Sequence, residues 1–228
     1  MKLAHQVQVV VKLMSNLLKH TVAEMMGTFI MVFFGTGAMI INELHGNVIT
    51  HLGVAIAWGL VVLAMIYSIG NKSGAHMNPA VTLSFLLDKR ISFKKSGYYI
   101  IAQIFGAILA SFVLKFMFPE AIKLGETVPV NSWQQAFVME FILSFFLMFV
   151  IFNVATGAKE EGVIAGLVIG ITVLICALVG GPISVASMNP ARTIGPAIAS
   201  GNYTHMWLYM VAPISGMFVS YGAWKIIK

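Results

Sequence analysis

The sequence predicts an all-α membrane protein: six transmembrane helices plus two re-entrant half-helices, arranged as an inverted repeat. Three observations carry this. Of 228 residues, 59% are hydrophobic and only 10% are charged, with a mean hydropathy of +0.90, whereas a soluble domain carries about 25% charged residues. Six windows are apolar over the length that a helix needs to cross a bilayer. The tripeptide Asn-Pro-Ala occurs twice, at 78–80 and 189–191, and each copy opens an apolar stretch too short to cross.

A helix spans the hydrocarbon in about 20 apolar residues. Taken in order, residues 1–20, with Lys2, Lys12 and Lys19, read as a cytoplasmic N-terminal segment of amphipathic character. They lack the compact apolar core and small-residue cleavage site of a signal peptide. The spans follow at Thr21–Ile41, Val48–Ile69, Gly97–Phe118, Trp133–Ala155, Gly162–Val179 and Tyr203–Ile226. Residues 21–228 therefore form a single membrane domain. The two short segments are Asn78–Leu87 and Asn189–Ser200. At 1.5 Å per residue they reach about 15–18 Å, half of a ~30 Å core. Irregular stretches, Gly70–Met77 and Gly180–Met188, lead into them.

Charge placement sets the orientation, because basic residues collect on the cytoplasmic side. With the N-terminus inside, Lys2, Lys12, Lys19, Lys72, Lys89, Arg90, Lys94, Lys95, Lys159, Lys225 and Lys228 share one face, leaving Lys115, Lys123 and Arg192 for the outer half. Both termini are then cytoplasmic. The +6 net charge is accordingly a topology signal and not a nucleic-acid patch. One cysteine, Cys176, excludes an intrachain disulfide and reads as packing. His5, His20, His45, His51 and His205 show no ligand spacing. No metal, cofactor or catalytic constellation is implied, so an enzyme is disfavoured.

The chain repeats itself. Glu24 lies in the first span of the first half and Glu140 in the first span of the second; Asn78 follows Glu24 by 54 residues and Asn189 follows Glu140 by 49. Gln103 and Gly106 stand 25 and 28 residues after Asn78, Pro213 and Gly216 24 and 27 after Asn189. Each half, about 21–118 and 133–226, holds three spans and one short segment. Three is odd, so the second half enters from the opposite face. Such repeats place a solute pathway at their interface near the midplane.

Asn is a preferred helix N-cap and Pro is favoured at the first helical position. Inversion brings two such helix starts together at the centre, each carrying partial positive charge. The capping amides of Asn78 and Asn189 can offer donors to a passing oxygen, while the converging dipoles disfavour cations and protons. Arg192, three residues past Asn189, reads as a donor cluster at an outer constriction; the alternative is a snorkelling interfacial arginine. For Glu24 and Glu140, the only acids within the spans as read, lining a pathway competes with accepting backbone N–H groups from the irregular loops. The second is favoured, since such backbone needs partners in lipid. His76, two residues before Asn78, either lines an inner vestibule or packs that loop. Small residues, Gly162, Gly166 and Gly170 in one span and Gly53 and Ala57 in another, offer close helix contacts.

The phrases Ser73-Gly74-Ala75-His76-Met77-Asn78-Pro79-Ala80-Val81-Thr82 and Met188-Asn189-Pro190-Ala191-Arg192 resemble the aquaporin and aquaglyceroporin superfamily, over nearly the whole chain beyond Thr21. The resemblance implies an aquaporin-like fold, a homotetramer in the plasma membrane, and a central constriction at Asn78 and Asn189. It also implies an outer filter of four residues, which counting from the motifs puts at Trp58, Ala177, Ala186 and Arg192. Strict water channels of the superfamily typically have Phe and His at the first two positions; Trp and Ala leave a wider, less polar opening. Trp58 on its own also fits an interfacial belt residue. Glycerol facilitators usually have Asp where Thr193 stands and often Phe where Ala186 stands. The set Trp, Ala, Ala, Arg, with Val32-Phe33-Phe34-Gly35 and Val179-Gly180-Gly181-Pro182, is most similar to the nodulin-like intrinsic proteins. That branch implies a passive channel for glycerol, for metalloid hydroxides such as boric or arsenous acid, and for some water. The alternatives are a strict water channel and a coupled secondary transporter, which inverted repeats also serve.

Overall fold

A computed structural model describes residues 2–155 and 159–228, with side chains described for 14–155 and 164–228. Among the described residues eight helices follow in order: α1 (Lys2–Leu44), α2 (Thr50–Ser73), α3 (Pro79–Leu87), α4 (Phe93–Met117), α5 (Trp133–Val154), α6 (Lys159–Ser184), α7 (Pro190–Ser200) and α8 (Met206–Ile227). Six of them, all but α3 and α7, are long and apolar enough to cross a membrane. With 9 and 11 residues, α3 and α7 are re-entrant. The expected spans are therefore present, within a few residues at their ends. The N-terminal segment is not a separate element, since α1 runs unbroken from Lys2 into the first span. Gly162 and Lys159 lie outside the residues whose side chains are described. The extension of α1 also brings Glu43 into its last turn, so Glu24 and Glu140 are not the only acids on the spanning helices.

Local chemistry fixes the boundaries. Ser92 and Ser132 cap α4 and α5 by accepting from Lys95 N and Gln135 N. Gly74, at φ 96°, and Gly201, at φ 84°, close α2 and α7 in the left-handed conformation that glycine adopts freely. These caps correct one expectation. The irregular stretches are only 74–78 and 185–189, because α2 continues to its glycine cap and α6 continues through Pro182 to Ser184.

The two halves pack by the same rule: α1 lies along α4, α5 along α8, and α2 crosses α6 between the halves. Close approach is enforced at matching glycines. A methyl on Gly106 would overlap the Met25 carbonyl oxygen, and one on Gly216 the Phe141 carbonyl oxygen; Met25 and Phe141 each follow a repeat glutamate. The α2–α6 crossing is reciprocal: a Cβ on Gly59 would lie 2.8 Å from Gly170 O, and one on Gly170 would lie 2.8 Å from Gly59 O. That reciprocity is the local mark of a two-fold relation between the halves. This crossing does not close at Gly53, where a Cβ would meet Ile49 and Thr50 of its own turn. The close contact sits at Gly59, one and a half turns further on.

Candidate functional site: a lined path between two half-helices

The site is built outward from two buried carboxylates. Glu24 and Glu140 are both fully inaccessible to solvent. Oε1 of Glu24 accepts from Ser73 Oγ (2.7 Å) and His76 N (2.9 Å), and Oε2 accepts from Met77 N (2.7 Å) and Gln103 Nε2 (2.8 Å). Glu140 repeats the pattern with Ser184 Oγ (2.7 Å), Ser187 N (2.8 Å) and Met188 N (2.7 Å). Tyr99 and Tyr209 add hydroxyl bonds to the Ser73 and Ser184 carbonyls, at 2.7 and 2.9 Å. These bonds hold strained backbone, because Ala75, Met77, Val185, Ala186 and Met188 all have φ between 45° and 64°. Each such non-glycine residue costs on the order of 1–2 kcal/mol. A hydrogen bond to a charged group contributes about 1.5–3 kcal/mol, so the carboxylate bonds are large enough to hold both loops.

The loops deliver two asparagines to one point. Asn78 Oδ1 caps α3 by accepting from Ala80 N at 2.9 Å; Asn189 Oδ1 caps α7 by accepting from Ala191 N at 3.0 Å and Arg192 N at 3.4 Å. Each amide nitrogen reaches across the interface: Asn78 Nδ2 donates to Met188 O and Asn189 Nδ2 to Met77 O, both at 2.8 Å. The half-helices thus meet N-terminus to N-terminus. Each capping amide carries two N–H groups. The crossed bonds take one from each, and one per asparagine remains for the path.

Both asparagines line a continuous cavity of about 730 Å³. Trp58, Ala177, Ala186, Arg192 and His76 line it as well. Arg192 sits toward the α1–α2 and α4–α5 connections. It is 1% exposed, its Nη1 donates to Gly125 O at 2.7 Å, and its Nη2 contacts the Met39 sulfur at 3.2 Å. Its guanidinium carbon stands 4.9 Å from the centre of the Trp58 ring, a cation–π contact of about 0.5–2 kcal/mol. Arg192 Nε is buried and has no hydrogen-bond partner among the described residues. His76 bonds Thr82 Oγ1 through Nδ1 at 3.0 Å and also faces the cavity. Both of its candidate roles are therefore geometrically available. Glu24 and Glu140 do not line the cavity; they stand behind the loops. Cys176 is 1% exposed and packs against Leu143.

Some supporting residues were not singled out from the sequence. Gly125, at φ +67° with Thr36 against its α-carbon, turns its carbonyl to Arg192 from a connection with no motif. Met39 is one apolar residue among many. Thr193 bonds Ser187 Oγ at 2.7 Å and Thr127 Oγ1 at 2.9 Å, tying that connection to the half-helix. Tyr99 and Tyr209 did carry a signal: they lie 21 and 20 residues after the two asparagines, the same repeat spacing that marks Gly106 and Gly216.

Comparison with known proteins agrees with this geometry. Residues 11–223 match the model of the major intrinsic protein family. Nodulin-26 of Glycine max is 44% identical over 208 residues, covering 91% of this chain and 76% of its own length. Aquaporin NIP1-1 of Zea mays is 44% identical over 208 residues, covering 91% of this chain and 74% of its own. Among solved structures, the aquaglyceroporin from Plasmodium falciparum superposes with a TM-score of 0.83 at 25% identity, covering 92% of this chain and 97% of that one. The chain belongs to the major intrinsic protein family, as a multi-pass membrane channel of the nodulin-like aquaporin type and not as an enzyme.

Proposed function

We propose that the protein is a passive channel for small uncharged solutes, namely glycerol and undissociated metalloid hydroxides such as boric or arsenous acid, with some water, and that it excludes ions and protons. The observation carrying this reading is the ring at the Arg192 end of the cavity. An indole face and a guanidinium confront each other, and the other two positions, Ala177 and Ala186, carry only methyl groups. A solute with carbon on one side and hydroxyls on the other matches such a wall. In this reading Trp58, Ala177, Ala186 and Arg192 select, and Asn78 and Asn189 hand the solute across the midplane with one free amide hydrogen each. Glu24 and Glu140 hold the loops, and His76 lines the other vestibule.

The same reading takes residues 21–228 as one channel domain of two inverted repeats and 1–20 as its cytoplasmic lead-in. It puts both termini in the cytoplasm and the protein in the plasma membrane as a homotetramer. Stopped-flow light scattering on proteoliposomes tests the solute. Glycerol permeability well above that of protein-free vesicles is expected. Water permeability without glycerol permeability identifies a strict water channel instead, and uphill accumulation driven by an ion gradient a coupled transporter.

A further inference from the structure

The opposite end of the cavity carries charge that the selection ring does not explain. Lys95 lies in the first turn of α4 and Arg90 in the α3–α4 connection, so both stand across the bilayer from Gly125 and Arg192 beyond the far end of α4. Both line the cavity, and no carboxylate among the described residues does. The His76 ring packs against two rings that these cations also meet, 4.8 Å from the Phe85 ring and 5.3 Å from the Tyr99 ring. The Arg90 guanidinium stands 5.3 Å over Phe85, with Phe152 and Trp224 at 5.6 and 5.5 Å. The Lys95 ammonium stands 5.1 Å over Tyr99. Two cations and one histidine thus share a continuous aromatic arc.

Their donors are largely unused. Arg90 bonds Asp88 through Nε at 2.6 Å; its two Nη groups make no hydrogen bond among the described residues. Lys95 Nζ makes neither a hydrogen bond nor an ion pair among them. Asp88 does not neutralise the pair, because it is shared with Lys225 at 3.0 Å. The rings hold both cations without satisfying a single N–H, and ring faces cannot replace acceptors. A concave wall of low dielectric with charge of one sign focuses its field and concentrates counter-ions. A planar guanidinium and a mobile ammonium on one cavity wall, each over a ring that packs against His76, match an oxyanion.

We infer that the vestibule at the Arg90 end binds a small free oxyanion, of the phosphate or sulfate class, between Arg90 and Lys95, and that the bound anion obstructs the path of neutral solute. The site is separate from the Arg192 ring and makes solute flux sensitive to the anion composition on that side of the membrane.

The binding arm uses inorganic phosphate titrated against the full-length protein in a lipid-free, uncharged detergent, followed by phosphorus NMR line broadening. No lipid phosphate is present, so broadening reports the free ion. Wild-type protein should broaden the line, and Lys95→Gln should cut the effect roughly two-fold or more by removing one of two charges. Lys94→Gln is the control, because Lys94 is exposed and off the cavity wall; it should behave as wild type. The flux arm compares proteoliposomes in phosphate and in chloride at equal ionic strength. Solute permeability should be about two-fold lower in phosphate, and Lys95→Gln should remove that difference. Absent broadening, or equal losses in Lys94→Gln and Lys95→Gln, overturns the site. Broadening with unchanged flux overturns the obstruction. If glycerol does not permeate, water flux serves the same comparison and the binding arm is unaffected, so failure of the solute reading is told apart from failure of this one.

Discussion

Substituting the repeat glutamates with glutamine tests how the loops are held. Gln keeps the shape of Glu but replaces one oxygen by an NH₂ group. Hydroxyl partners such as Ser73 and Ser184 can rotate to accept from it, and the Gln103 amide can turn, since its Oε1 is unpaired. Backbone N–H groups cannot reverse. Glu24 receives one on each oxygen, from His76 and Met77, and Glu140 receives one on each, from Ser187 and Met188. Whichever way the amide settles, one buried N–H faces another donor, at a cost of about 1.5–3 kcal/mol. The surviving bonds lose charge assistance, but removing a buried charge also relieves its desolvation, and these two terms oppose each other. Glu24→Gln and Glu140→Gln should each cost about 2 kcal/mol and agree within about 1 kcal/mol, because the lost bond is the same in both halves. Unfolding in mixed micelles by increasing dodecyl sulfate, followed by circular dichroism, measures the difference. Losses below about 0.5 kcal/mol for both, well under the cost of one orphaned N–H, would refute the view that these carboxylates hold the re-entrant backbone.

Other expectations follow from the same geometry. Gly106→Ala and Gly216→Ala push a methyl into a facing carbonyl oxygen and should each lower the unfolding midpoint by an overpacking cost of about 1–3 kcal/mol; an unchanged midpoint would contradict the helix spacing. At Asp88, burial pushes the carboxyl pKa up, but hydrogen bonds from Lys225 and Arg90 and their charges outweigh it and hold the group below its ordinary value. A depressed folded-state pKa gives stability that is present above the unfolded value of about 3.9 and lost as pH falls through the folded one. The stability gap between wild type and Asp88→Asn should therefore be full near neutral pH and close in acid, and a gap independent of pH would contradict the bridge. Arg192→Ala removes the buried guanidinium beside Trp58 and should speed the collapse of a proton or cation gradient across proteoliposomes while glycerol still passes; unchanged selectivity would remove Arg192 from the filter.

The fold was largely legible in the sequence because a bilayer leaves few options. Apolar length counted the spans, and Asn-Pro at a helix start marked α3 and α7 to the residue. The repeat spacing also pairs Glu24 with Glu140 and Gly106 with Gly216. What sequence could not supply were contacts between segments without local signals. The Gly125 carbonyl on Arg192 comes from an irregular connection, and a main-chain acceptor leaves no mark on residue type. The crossed bonds of Asn78 and Asn189 to Met188 and Met77 depend on how the two loops interlock, which neither motif contains alone. Gly53 and Gly59 look alike in the sequence, because a small residue shows where a close approach is allowed and packing decides where it occurs.

On the proposed function, Trp58, Ala177, Ala186 and Arg192 decide what passes, while the paired asparagines hand it on. The ratio of glycerol to water permeability in Trp58→Phe combined with Ala177→His, measured by stopped-flow on the same proteoliposomes as wild type, tests it most directly. The added imidazole outweighs the smaller aromatic, narrowing the ring and making it more polar, so the ratio should fall sharply while water permeability persists. An unchanged ratio in a well-folded double variant would contradict the assignment of the ring.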